Sequence, residues 1–282
     1  MGRRGWRRKS LGTIWEVPEQ LWRRIGPILR QFWPRKATGR RPADWRAALN
    51  GIIFRMRTGC QWNQLPRRFG PKSTVHDWFQ RWNEGGVMAR ILALLIAACD
   101  ELRGVEWKWQ AADAAMAKAR FGGGDDVGPN PTDRAKPGPK RSVIVDGQGG
   151  PLGAVVAGAN VNDHLILEET IEAIVVERPE PDEVEQHRCL DAGYDNATGH
   201  EVVERRGYVG HIRPVGEDRR ARRRPGRRKA RRWVVERTMA WLSKCRAILV
   251  RYDKQPKNYL GLIQWACCLL WFRRLHRLVL LC

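Results

Sequence analysis

Residues 109–116 read Trp109-Gln110-Ala111-Ala112-Asp113-Ala114-Ala115-Met116, a single acid among small and apolar side chains. Burying an unpaired carboxylate costs several kcal/mol, so an acid in such a run requires compensation. The run also marks a change of rhythm. Upstream of it apolar residues recur at helical spacing; downstream they come in bursts the length of strands.

Upstream, residues 18–33 place Leu21, Trp22, Ile25, Ile28, Leu29 and Phe32 on one helical face behind Pro18. Residues 42–58 repeat the pattern with Trp45, Ala48, Leu49, Ile52, Ile53 and Met56, opening at Pro42 and closing at Gly59. Beyond the turn-rich stretch from Leu65 to Pro71, Ser73 or Thr74 is the expected cap of a short third helix with Val75, Trp78, Phe79 and Trp82 inward. Helix, turn, helix is the simplest description, and the outer face of the third helix offers Lys72, His76, Gln80 and Arg81 to phosphates or base edges. Periodicity alone equally allows a helical scaffold or a dimerisation module. A fourth helix over 88–102 carries Ile91, Leu92, Leu95, Ile96 and Cys99. The chain is thus expected to divide into an all-α, helix-turn-helix-like domain over 1–105 and a second domain over 106–282.

Downstream the order reads strand (107–116), Gly/Pro-rich loop (121–140), strand (142–146), a Gly-Gly-Pro turn and strand (152–157). A helix over 164–176, a strand over 188–191, a helix over 195–206, a strand over 208–212 and a long helix over 231–249 follow. Three strands as a meander, then alternating helices and strands, is the ribonuclease-H-like order of an α/β domain. The apolar stretch Leu262–Phe272 ends in Arg273-Arg274, is too short to span a bilayer, and reads as a core helix.

Composition narrows the partners. Fifty-two Lys and Arg against thirty Asp and Glu give a net charge of +22, which repels itself in a compact state and is relieved by a polyanion. The basic residues are spread along the chain and interleaved with Trp, which favours nucleic acid over a membrane surface. Seven Cys without a CxxC pair suggest neither a disulfide framework nor a zinc finger, and Met1–Lys9 lacks the apolar run of a signal peptide. A reduced, cytoplasmic protein is expected. The arginine-dense stretch from Arg219 to Lys229 reads as a loop, since blocks of like charge do not fold alone.

Two further acids share the setting of Asp113. Asp191 ends a short strand in Cys189-Leu190-Asp191-Ala192-Gly193-Tyr194-Asp195, and strand ends of open α/β sheets are where sites form. Glu236 lies on a helix in Arg231-Arg232-Trp233-Val234-Val235-Glu236-Arg237-Thr238, with Arg232 one turn before it on the same face. A buried arginine partner for Asp113, a helix cap for Asp191 and a surface salt bridge for Glu236 would each explain one acid taken singly. Taken together, on the first strand, the fourth strand and the last long helix of this order, the three converge on one edge of the sheet. Hard oxygen ligands of that number suit Mg²⁺ or Mn²⁺, and two ions roughly 4 Å apart would serve an in-line displacement at phosphorus. Asp125, Asp126 and Asp133 read as loop residues, Asp146 as a turn residue, and Asp163 as a modest candidate for support of the site.

Several longer motifs carry a resemblance. In the first domain they are Gly39-Arg40-Arg41-Pro42, Arg57-Thr58-Gly59-Cys60-Gln61-Trp62 through Leu65-Pro66, and Phe69-Gly70-Pro71 through Trp78. In the second they are Asn130-Pro131-Thr132-Asp133-Arg134, Ala159-Asn160 with Asp163, the turn Asp191-Ala192-Gly193-Tyr194, and Trp233-Val234-Val235-Glu236-Arg237-Thr238. Over nearly its full length the chain resembles the DDE transposases of the insertion-sequence-five family, within the insertion-sequence-four-like group. The resemblance carries the catalytic, metal-holding triad onto Asp113, Asp191 and Glu236. The family's last motif reads Tyr, two residues, Arg, three residues, Glu, six residues, then Lys or Arg. Here Arg232 and Glu236 match, Lys229 stands where Tyr is expected, and Ser243 fills the far position with Lys244 one residue later. A helix turns about 100° per residue, so Lys244 points away from the expected direction.

The resemblance implies a bacterial, nucleoid-associated enzyme that binds the terminal inverted repeats of its own element, cleaves double-stranded DNA and joins it to a target, as a dimer or larger assembly. The expected nucleic-acid contacts are Lys72, His76, Gln80 and Arg81 in the first domain and Arg222, Arg223, Arg224, Arg227, Arg228, Lys229, Arg232 and Lys244 in the second. A metal-dependent nuclease without strand joining, and a DNA-binding relic without catalysis, are the alternatives.

Overall fold

Leu21, Ile25 and Leu29, four residues apart and wholly buried, seat one face of α1 (Glu19–Phe32) on the core. The computed structural model describes residues 11–34, 43–121, 124–212, 214 and 231–280. In α2 (Trp45–Thr58) the Asp44 side chain accepts from the amides of Arg46 and Ala47, and Gly59 closes the helix at φ 69°. The start at Trp45 is therefore a side-chain cap at Asp44; Pro42 lies outside the described residues. α3 (Lys72–Glu84) buries Val75, Trp78, Phe79 and Trp82 as their spacing predicts. It begins at Lys72 behind Pro71, so neither Ser73 nor Thr74 caps it; Pro71 supplies an extended backbone without a capping side chain. Gly85 and Gly86 turn the chain by 67° into α4 (Val87–Asp100).

The longer strands among the described residues follow: β1 (Trp109–Met116), β2 (Pro137–Asp146), β3 (Pro151–Gly158), β4 (His187–Leu190) and β5 (Val209–Ile212), with a two-residue strand at Gly128–Pro129 beside the start of β2. They lie in the order β3-β2-β1-β4-β5, with β2 antiparallel to both neighbours and β4 and β5 parallel to β1. This is the ribonuclease-H-like arrangement that the element order predicts. β2 starts five residues earlier than its apolar run, at Pro137, because polar Lys140 and Arg141 are themselves buried in the sheet.

Both faces of the sheet are covered. Successive strand residues point to opposite faces. Arg141 donates to Ser243 Oγ (2.5 Å) and the Ile248 carbonyl (2.9 Å), whereas Ser142 Oγ accepts from Thr170 Oγ1 (2.8 Å) on the short helix α5 (Leu167–Glu172). α6 (Ala197–Arg205) packs beside α5, and α7 (Trp233–Ser243) lies across β1 and β2 on the Arg141 face.

Two helices are shorter than their periodicity suggests. The segment over 164–176 is a 3₁₀ turn at Asp163–Ile166 followed by only six helical residues. The helix over 231–249 breaks after Ser243: Cys245 is extended (φ −87°, ψ 108°) and a separate turn α8 (Arg246–Leu249) follows. Arg141 reaches both sides of that break, and Leu242, Cys245 and Ile248 stay buried across it, which is why apolar spacing alone did not reveal it.

The last helix, α9 (Pro256–Val279), opens with Pro at its first turn and is buried along most of its length. It packs on α4 and on β3, so the helical region and the sheet share one core. No single helix among the described residues is long and apolar enough to cross a membrane. Two buried ion pairs tie distant segments: Arg55 to Asp253 at 2.9 Å and Arg274 to Asp146 at 2.5 Å. Asp146 is thus a turn residue, accepting from the amides of Gln148 and Gly150, and also a buried counter-ion.

Candidate active site

Strand pairing sets Asp113 and Asp191 side by side. Ala111 of β1 pairs with Cys189 of the parallel β4, so two residues further on Asp113 stands level with Asp191, just past the end of β4. Asp113 also pairs with Val143 of β2, which is on the same face as Arg141, so its carboxylate points toward α7. α7 carries Glu236 in its first turn.

Each acid has one local partner. Asp113 accepts from the backbone amide of Ala114 at 2.8 Å, and Asp191 from the amide of Gly193 at 2.9 Å, capping a 3₁₀ turn. Glu236 accepts from Arg232 at 3.2 Å, one turn back on the same helix face. These do not neutralise the site. Burial pushes the Asp113 carboxyl up to about 6, the Ala114 hydrogen bond opposes this, and the charge of Asp191, and after it that of Glu236, adds to the rise. Arg232 feels the same field with the opposite sign. Burial works against its charge, but the hydrogen bond to Glu236 and the charges of Glu236, Asp191 and Asp113 raise its pKa.

Tyr194, which the sequence offered only as part of the Asp191-Ala192-Gly193-Tyr194 turn, is buried close enough to Asp113 and Asp191 to feel their charges. Its ring is wholly buried, and burial followed by the charges of Asp163, Asp113 and Asp191 raises its hydroxyl pKa. Its place in that motif was the signal, although an aromatic there reads equally well as core. Asp163 is engaged by the buried Lys140, 2.5 Å away. Asp133 pairs with Lys118 and Lys136, consistent with a loop role.

The donor set fits divalent metal: hard carboxylate oxygens, one with its pKa raised first by burial and then by its negative neighbours. Among the described residues no three acids, His or Cys converge closely enough to enclose an ion as they stand. Glu236 is paired with Arg232. That exposed i,i+4 pair is worth only about 0.3–0.5 kcal/mol, far less than a carboxylate–metal bond, so metal would readily recruit the side chain.

The expected nucleic-acid contacts are scattered. On α3, Lys72 is exposed and Gln80 half-buried, while His76 stacks on Trp62 with ring centroids 4.6 Å apart, and its pKa is lowered by burial. Arg81 pairs with Asp77 at 3.0 Å and lies over the rings of Trp33 and Trp78. Arg232 joins the acid cluster. Lys244 sits at the break after α7 and lines a separate groove, away from the acids. At position 243, where the family motif carries a cation, Ser243 instead receives the Arg141 guanidinium. Arg222, Arg223, Arg224, Arg227, Arg228 and Lys229 lie outside the described residues.

The chain is similar to known proteins over most of its length. Residues 17–92 match the family model described as "Putative transposase of IS4/5 family", and residues 108–271 match "Transposase DDE domain". A relative from Burkholderia cepacia, "Putative transposase for insertion sequence element IS402", is 37% identical over 162 residues, covering 56% of this chain and 74% of the relative. A second from the same organism, "Insertion element IS402 uncharacterized 16.2 kDa protein", is 34% identical over 119 residues, covering 41% and 80%. The catalytic domain of Mos1 mariner transposase aligns over 68% of this chain and 91% of its own at 8% identity, with a TM-score of 0.27, too loose a superposition to bear on this chain. With a DDE-domain match over more than half its length and a 37% identical relative, the chain belongs to the DDE transposases of insertion sequences, enzymes of DNA cleavage and strand transfer.

Proposed function

We propose that residues 106–282 cut the ends of the chain's own insertion sequence and join the freed 3′-hydroxyl to target DNA, and that residues 1–105 hold the terminal inverted repeats in a helix-turn-helix-like manner. The observation that carries this reading is the buried Asp113 standing level with Asp191 across the β1–β4 pairing, its carboxyl pushed up to about 6 by burial first and then by the charges of Asp191 and Glu236. In this reading the three acids hold two Mg²⁺ or Mn²⁺ ions. When bound, these would supply Lewis-acid stabilisation at phosphorus and ease ionisation of the attacking hydroxyl. Asp113 and Asp191 form the base of the site, Glu236 swings from Arg232, and the released Arg232 turns its charge toward a DNA phosphate. Lys72 and Gln80 on α3 contact the repeat, with His76 and Arg81 held in place by their aromatic neighbours. Lys244 and the arginines between 222 and 228 with Lys229 contact further phosphates. Holding both ends requires two copies on DNA, within the bacterial cytoplasm.

The test is paired variants on the full chain with end-bearing duplex and a target plasmid. Asp113→Asn and Glu236→Gln are expected to abolish both cleavage and joining while end binding stays within about twofold. Equal loss of binding would defeat the metal-site reading. Cleaved but never joined products from the wild type would make the enzyme a nuclease.

A further inference from the structure

A groove of about 760 Å³ lies outside the carboxylate site, between α2, the β2–β3 turn, α7 and α9. Asp113, Asp191 and Glu236 do not line it. Its wall is the stripe Trp233, Arg237 and Trp241, one α7 turn apart. The Arg237 guanidinium lies 4.6 Å from one indole centroid and 5.1 Å from the other. The indoles nonetheless remain 46% and 38% exposed, in a chain that buries most of its large apolar side chains. Arg57, Lys244, Arg273 and Arg277 also line the groove, and no Asp or Glu does among the described residues. Burial holds the Arg57 guanidinium below its ordinary pKa; the neighbouring Cys245 opposes this and the like charge of Arg273 adds to it.

Exposed indole faces beside cations, without acids, match one ligand chemistry: a planar base with phosphates on either side. A duplex cannot use the indoles, because both faces of each base are already stacked. We propose that the groove binds an unpaired stretch of DNA, a base on Trp233 or Trp241 and its phosphates on Arg57, Lys244, Arg273 and Arg277. This rests on the transposase reading for the identity of the nucleic acid. Charge disfavours the other occupants. A second copy carries +22, and the stretch before Leu11, a groove-lining residue, contains Arg3, Arg4, Arg7, Arg8 and Lys9.

Fluorescence anisotropy on the full chain, with a labelled single-stranded oligodeoxynucleotide and, separately, an end-bearing duplex, tests the assignment. Trp233→Ala and Trp241→Ala are each expected to weaken single-strand binding about tenfold and to leave duplex binding within about twofold. Should either variant melt early, Arg277→Ala, at an exposed position of the groove, is expected to give the same selective loss. Unchanged single-strand affinity with intact duplex binding overturns the groove alone. A wild type that binds neither DNA overturns the transposase reading with it. Loss of a dimer in the Trp variants by sedimentation overturns the proposal in favour of a self-interface.

Discussion

Asp113 is held against its own preference: its surroundings favour the proton, while the proposed metal needs the anion. Asp113→Asn is therefore expected to raise the apo protein's stability at neutral pH by about 1–2 kcal/mol, read as an increase in Tm, while abolishing activity. Mn²⁺ should raise the Tm of the wild type and leave the variant unmoved. The pH dependence follows from the same shift. The folded-state value near 6 lies above the unfolded value, about 3.9. The stability from this proton is fully present below the unfolded value and is lost as pH rises through about 6. Between those limits the wild-type apo Tm should fall relative to that of Asp113→Asn. At limiting metal, cleavage should fall about tenfold per pH unit below pH 6 in a rate profile. Sequence alone exposed the anomaly of an acid in an alanine-rich strand; it could not give the size of the shift, which is set by burial and by neighbours 78 and 123 positions away. Arg232 was legible as the partner of Glu236, because a helix puts residues four apart on one face.

At the scale of elements, α7 is positioned by the turn between β2 and β3. Thr238 Oγ1 donates to the Gly149 carbonyl at 2.6 Å, and Arg237 donates to the Gln148 carbonyl at 2.5 Å. Gly149 has φ 85°, and a Cβ there would meet Arg237 Nη2 at 2.9 Å and the Val234 carbonyl at 3.1 Å. Gly149→Ala is expected to cost about 1–3 kcal/mol in chemical denaturation, and to lower cleavage more than Thr238→Val does, because it displaces the helix bearing Glu236. The spacing of α1 to α4 and the order of the strands were legible, since both depend on neighbours within a few residues. The break at Cys245 was not. Its apolar positions continue the helical pattern, and only Arg141, from another strand, marks the interruption.

For the whole molecule, the helical region and the sheet pack against each other. α4 and α9 pack together, and Arg55 on α2 meets Asp253 across 198 positions of sequence, both side chains 4% exposed. Asp253→Ala leaves the Arg55 charge buried alone and is expected to cost about 3–5 kcal/mol by denaturant titration, whereas Arg55→Met with Asp253→Leu should recover most of that. One cooperative unfolding transition is expected by calorimetry, because removing α9 uncovers the apolar faces of α4 and β3 together. The amino-acid sequence by itself determined most periodic elements, their order and the family, and marked the three acids as candidates, because periodicity and motif spacing are written within a few residues of one another. The tertiary structure decided which distant charges pair, how far burial and neighbouring charge shift Asp113, where α7 ends and that a tryptophan-walled cationic groove exists. Burial and electrostatic fields are sums over segments that only the folded chain brings together.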